Sequence, residues 1–336
     1  MKYRSWIMAA AVAVVAMAST MARAESIATV PVGNVGNAND STGFGSVSYS
    51  YSIGKYDVTN AQYAEFLNAK ATSSDPLALW NSYMGSNVEG GITRSGTGSG
   101  PYTYTIKSGM ANMPVVDVSW FDTLRFANWL NNGQGNGSTE IGSYTLLGGT
   151  PTPSNASTIS RNAGAQWVLP SENEWYKAAY YDPTLNSGSG GYWLYPTRSN
   201  TAPVNILSST GTNNANFYDY YGTGTHGYSS GSPFLTDVGA FAASPGPYGT
   251  FDQGGDVWQW NETDIFGDGS SRGLRGGGWH SYSIGLASSY RDHYYPTYEG
   301  GTYIGFRVAS VPEPGSLVMT AMIAVSGLLY YWRKHA

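Results

Sequence analysis

The 336-residue chain has no cysteine. That excludes a disulfide framework, a thiolate zinc site, a cysteine-ligated iron–sulfur cluster and a cysteine nucleophile. Charge is also scarce. Asp, Glu, Lys and Arg make up 12% of the chain, about half of the roughly 25% usual for soluble domains. The net charge is −5 and the pI near 5.3, so no nucleic-acid partner is expected. Histidine is limited to four residues, His226, His280, His293 and His335. Long apolar runs are confined to the two ends. What abounds is glycine, at 44 residues, together with 27 Tyr, 11 Trp and 10 Phe. This combination points to a loop-rich fold whose rings pin irregular segments.

The ends read as addresses. Residues 1–24 fit a secretory signal peptide: Lys2 and Arg4, an apolar run from Trp6 to about Ala18, and an Ala22-Arg23-Ala24 cleavage site. An uncleaved anchor is the alternative. At the other end, Pro312-Glu313-Pro314 precedes an apolar stretch from Ser316 to Trp332, closed by Arg333 and Lys334. That stretch is a little short of the ~20 residues that span a bilayer. Its three parts, in this order over residues 311–336, resemble the PEP-CTERM sorting signal of Gram-negative bacteria. The resemblance implies an exosortase-type processing enzyme as partner and membrane contact through the C-terminal helix before processing. An ordinary C-terminal anchor is the alternative. Both place the domain outside the cell, at the envelope, outer surface or extracellular matrix.

Residues 25–310 read as one domain with large insertions. Gly/Ser/Asn/Thr-rich stretches at 85–100, 131–164, 186–191 and 208–232 look like surface loops, because patterned segments resume after each. Three helices are predicted from their caps: Thr59 to Gln62, Ser119 to Asp122, and Ser171 to Glu174. Strands are predicted at 47–53, 102–106, 166–169, 257–260 and 304–309. Few short strands and short helices indicate an α+β domain.

The motifs follow a recognisable order. Tyr56-Asp57-Val58-Thr59-Asn60 comes first, then Met113-Pro114-Val115-Val116-Asp117-Val118-Ser119-Trp120 and Leu169-Pro170-Ser171-Glu172-Asn173-Glu174-Trp175. Gly254-Gly255-Asp256-Val257-Trp258-Gln259-Trp260, Arg275-Gly276-Gly277-Gly278-Trp279 and Gly305-Phe306-Arg307-Val308 complete the series. Together they resemble the formylglycine-generating enzyme, or sulfatase-modifying factor, family. The resemblance implies a loop-rich, single-domain variant of the C-type lectin fold. Read on their own, the Trp residues suit a core, Gly276 to Gly278 suit a tight turn, and Arg275 and Arg307 suit partners for buried carboxylates.

The resemblance also implies copper chemistry on two cysteines after the Arg-Gly-Gly motif. By spacing, Ser281 and Leu286 stand in those positions. Cu(I) needs soft sulfur ligands, so no copper is expected and the cysteine-dependent oxidase chemistry is excluded. Relatives that use non-haem iron make His280, His293 and Asp292 an alternative ligand set. The family's structural calcium is carried over by motif to Asp252, Gly255, Val257 and Gln259. Asn216 and the Phe217 carbonyl would begin a second site, with Asp219 as a substitute ligand. Gln259 replaces the usual Glu and removes one negative charge.

Three functions remain in view. One is a binding or scaffold module whose Tyr- and Gly-rich loops take a glycan or protein ligand. Another is an iron-dependent oxidase or oxygenase of altered mechanism. The third is a structural component of an extracellular matrix.

Overall fold

The computed structural model describes residues 26–312 except 221, 223 and 300. The signal segment 1–24, the Glu313-Pro314 pair and the apolar tail lie outside the described residues. Among the described residues, no helix is long and apolar enough to cross a membrane.

Each predicted helix begins at its capping box. Thr59 and Gln62 close the start of α1 (Asn60–Lys70). A short α2 (Ser82–Ser86) is capped by Asn81. Ser119 and Asp122 cap α3 (Trp120–Asn131), and Ser171 and Glu174 cap α4 (Glu172–Tyr180). In each box the side chain at the cap and the one three residues on satisfy each other's backbone amides, so the signal is local.

In chain order the strands are β1 (Thr29–Val32), β2 (Tyr51–Gly54), β3 (Ile92–Ser95), β4 (Thr103–Ile106), β5 (Trp167–Val168) and β6 (Tyr181–Asp182). Then come β7 (Gly191–Tyr192), β8 (Trp258–Asp264), β9 (Arg272–Arg275), β10 (Asp292–Tyr294), β11 (Ile304–Gly305) and β12 (Ala309–Ser310). One sheet has the order β1-β2-β12-β5 and the other β10-β9-β8-β11; β3-β4 and β6-β7 form separate pairs. The α+β, loop-rich class is as expected.

One expected strand is two. The apolar run 304–309 splits into β11, parallel to β8, and β12, antiparallel to β2 and β5. Between them Phe306, Arg307 and Val308 are fully buried. A single segment thus stitches the two sheets together. Phe306 meets Tyr63 of α1 and Phe126 of α3 at ring distances of 6.4 and 5.4 Å. Phe66, Phe126 and Trp129 complete that aromatic core. Each large ring buried here removes more apolar area from water than an aliphatic side chain would.

Polar clamps join the loops to this core. Arg161 bridges Glu174 at 2.9 Å and Glu262 at 2.7 Å. Arg275 bonds Glu172 at 2.7 Å, and Arg307 bonds Asp57 at 3.0 Å. The expected roles of Arg275 and Arg307 are therefore borne out.

Burial gives a sign to the pH dependence of stability. Asp117 is pushed up to about 7, chiefly by burial. Asp122 is pushed up to about 8, by burial and then by Glu299. Between the unfolded value near 3.8 and these folded values, the folded chain holds protons that the unfolded chain has released. Stability is therefore full below about pH 4 and falls as pH rises through 7 to 8 for these groups. The melting temperature should be higher at pH 5 than at pH 8; an equal or higher value at pH 8 would sink this assignment.

Candidate functional site

The turn after β9 starts the site. Gly276 and Gly277 have φ of +100° and +75°, and a Cβ on Gly277 would come within 2.8 Å of Leu286 Cδ1. The expected tight turn is present. It delivers Trp279, whose Nε1 donates to the Thr302 carbonyl at 3.1 Å. The Ser281 carbonyl then accepts from the Tyr218 amide at 2.8 Å. That bond holds the 217–234 loop against the 278–286 loop.

Rings from both loops gather there. Tyr218 lies 4.8 Å from Tyr228, 6.0 Å from Tyr282 and 6.3 Å from Tyr220. Tyr228 meets Phe234 at 4.3 Å, and Phe234 stacks on Trp279 at 5.0 Å. Tyr220 and Tyr282 remain more than half exposed, at 53% and 54%. His280 continues the row, 5.4 Å from Trp279 and 4.1 Å from Tyr303. Partial desolvation against Trp279 and Tyr303 lowers the His280 pKa.

A buried polar layer fixes these loops. Asn205 is fully buried and donates to Phe217 O, Thr225 Oγ1 and Gly227 O at 2.8–3.0 Å. Its own oxygen accepts from the Thr225 amide at 2.8 Å. Asp219 accepts from the amides of Gly222 and Gly224. Asn216 donates to Phe234 O at 2.9 Å and to Asp256 Oδ1 at 2.8 Å. Asp256 also receives the Thr236 amide at 3.1 Å. Burial, then Asp252, pushes Asp256 up to about 8, and burial pushes Asp252 up to about 6.

Below this layer, Gln259 has every polar atom engaged. Its Oε1 accepts from Trp175 Nε1 at 2.6 Å and Arg307 Nε at 2.7 Å. Its Nε2 donates to the Asp252 carbonyl at 2.7 Å. Both neighbours of Oε1 are obligate donors, so the amide has only this orientation. Arg307 further bonds Gly54 O, Asp57 Oδ1 and Phe251 O.

This architecture matches a known family over most of its length. The model of the sulfatase-modifying factor enzyme 1-like domain matches residues 15–311. The chain belongs to that family. Among solved structures, CarF is 21% identical, with a TM-score of 0.54, covering 85% of this chain and 99% of its own. Treponema denticola variable protein 1 is 19% identical (TM-score 0.48; 84% and 95% covered). PvdO from Pseudomonas aeruginosa is 18% identical (TM-score 0.44; 84% and 90% covered). CarF shows a shared fold. No curated protein matches the chain.

In this sulfatase-modifying-factor domain, the positions expected to carry cysteines are occupied by groups with structural partners. Ser281 Oγ accepts from the Gly278 amide at 3.0 Å. Leu286 ends a 3-10 turn, is fully buried, and packs with Tyr195, Ala215, Phe217 and Ala287. The alternative iron set is not gathered. His280 sits against Tyr303, whereas His293 Nδ1 is 2.8 Å from Ser271 Oγ. Asp292 accepts from the His293 backbone amide. Among the described residues, no three His, Asp or Glu side chains form a metal-holding group.

The calcium residues divide. Gly255 is brought to Asn216: a Cβ on it would sit 2.1 Å from Asn216 O. Asn216 Oδ1 is a buried oxygen without a partner, but Phe217 O is taken by Asn205 and Asp219 caps its own turn. At the first set, the Gln259 oxygen faces two donors, and its amide nitrogen, not a cation, faces the Asp252 carbonyl. Val257 lies buried with Val116 and Leu235. Gln259 therefore does not fit as a calcium ligand. With the Asn216 set removed by Asn216→Ala, the melting temperature should agree within about 1 °C in excess calcium and in chelator. A calcium-dependent rise that survives Asn216→Ala would overturn this for the Gln259 set.

No sequence pattern by itself marks the individual rings of the platform. Their one local signal is the close run of Tyr218, Tyr220 and Tyr228 in the 208–232 loop.

Proposed function

We propose that this chain is an exported binding module built on the sulfatase-modifying-factor fold, and not a cysteine-dependent oxidase. The observation that carries the reading is the aromatic platform of Tyr218, Tyr220, Tyr228 and Tyr282 beside the loop that bears Ser281 and Leu286. Exposed rings held by a buried polar layer are rigid, so they lose little entropy on contact with a ligand. The absence of thiols removes the sulfur ligands that the family's copper chemistry requires. The N-terminal signal and the Pro312-Glu313-Pro314 tail support export, exosortase-type processing and display at the envelope or matrix.

The test is a glycan and peptide array probed with the full chain and with the Tyr228→Ala/Tyr282→Ala double variant. Both side chains are exposed, so the variant should fold. Hits that the variant loses are the expected result. A blank array, or hits that the variant keeps, would overturn the reading.

A further inference from the structure

The aromatic row does not stop at His280. Tyr303 hydrogen-bonds Tyr298, and Tyr298 lies 4.0 Å from Tyr294. Tyr294 opens onto a cleft of about 300 Å³, lined by Phe266, Ser270, Ser271, His293 and Tyr295 as well. Phe266 and Tyr295 are 63% and 67% exposed. Phe266 comes from the β8–β9 connection and stands 5.1 Å from the His293 ring. With Nδ1 held by Ser271 Oγ, Nε2 is the His293 nitrogen left for a ligand hydroxyl.

Resting on the binding reading above, we infer that the ligand is a neutral oligosaccharide chain, held at the Tyr218–Tyr228–Tyr282 platform and again at the Phe266–His293–Tyr295 cleft. Three observations carry this. The row runs ring to ring from the platform to the cleft, a span that suits a ligand of several rings. Among the described residues, the cation–π contacts of Lys and Arg all fall on other rings, such as Tyr56, Trp80, Trp120 and Phe44. Among the described residues, no guanidinium or ammonium therefore lies over a ring of the row, an arrangement that suits a neutral ligand better than a polyanion. Finally, the cleft pairs flat apolar walls with a Ser–His floor. That matches a sugar ring, which has an apolar C–H face and a rim of hydroxyls.

The experiment measures affinities of the full chain for cellohexaose, mannohexaose and xylohexaose, and for the corresponding disaccharides. Alginate serves as the polyanion and choline as the organic cation. At least one hexasaccharide should bind about tenfold or more tighter than its disaccharide. Phe266→Ala/Tyr295→Ala should bring that ratio close to one. Leu147→Ala, an exposed change elsewhere, should leave the ratio as it is. Equal affinity for long and short sugars, or an unchanged ratio in the double variant, overturns the second subsite. Preference for alginate or choline, or array hits confined to peptides, overturns the neutral-glycan class and leaves the binding-module reading standing. No ligand of any class overturns both.

Discussion

Replacing Arg307 with Met is expected to lower the unfolding free energy by about 3–5 kcal/mol. Arg307 is fully buried and its guanidinium reaches four acceptors: Gln259 Oε1, Gly54 O, Asp57 Oδ1 and Phe251 O. Methionine fills most of the volume, so the loss comes mainly from polar groups left without a donor. Asp57 matters most, because it is 2% exposed and would lose the guanidinium that opposes the effect of its burial, keeping only the 3.5 Å contact from Gln259 Nε2. Lysine should not rescue the site, since one ammonium cannot reproduce a planar fork that spans both sheets. Urea unfolding of the wild type, Arg307→Met, Asp57→Asn and the double variant gives the coupling. The double variant should lose less than the sum of the two single changes. A loss below about 1 kcal/mol for Arg307→Met would mean that the clamp does not hold the sheets.

Asn205→Ala should damage both stability and binding. Its amide makes the bonds that shape the 217–227 turn, to Phe217 O, Thr225 Oγ1, Gly227 O and the Thr225 amide. Removing it costs about 1–3 kcal/mol, because the Gly227 carbonyl keeps the Asp219 amide and the Phe217 carbonyl keeps only the long contact from Ser229 Oγ. Tyr218 and Tyr228 flank that turn, so their 4.8 Å contact should loosen. The readouts are urea unfolding, near-ultraviolet circular dichroism of the tyrosines, and affinity for whichever ligand the arrays identify. Asn205→Asp should not recover the wild type. It keeps the acceptor for Thr225 but turns a carboxylate oxygen toward the Phe217 and Gly227 carbonyls. If Asn205→Ala binds ligand with unchanged affinity, the buried layer is not what holds the platform.

These two results would separate the functions of two networks. The Arg307 clamp ties β11 and β12 to the core. The Asn205 layer works on one face only, where the rings gather. A binding defect with modest stability loss should follow from the second, and global unfolding from the first.

Local physics was legible from the amino-acid order. The three main helices start at their capping boxes because cap and partner are three residues apart. The glycine turn at 276–278 and the lack of any thiol ligand are equally local facts. Motif order carried the family and with it the α+β, loop-rich fold. Other features were settled by contacts between distant segments. The run 304–309 reads as one strand, yet it is shared by two sheets, because Phe306, Arg307 and Val308 are drawn into the core between them. Gln259 reads as a weakened calcium ligand, yet Trp175 and Arg307 hold its oxygen from 84 and 48 residues away. The platform likewise needs Tyr218 and Tyr282 to meet across a long stretch of chain. A cap or a turn is decided by energies within a few residues, which the sequence displays. Which buried donor meets which acceptor, and which rings share a face, is decided when the chain closes on itself.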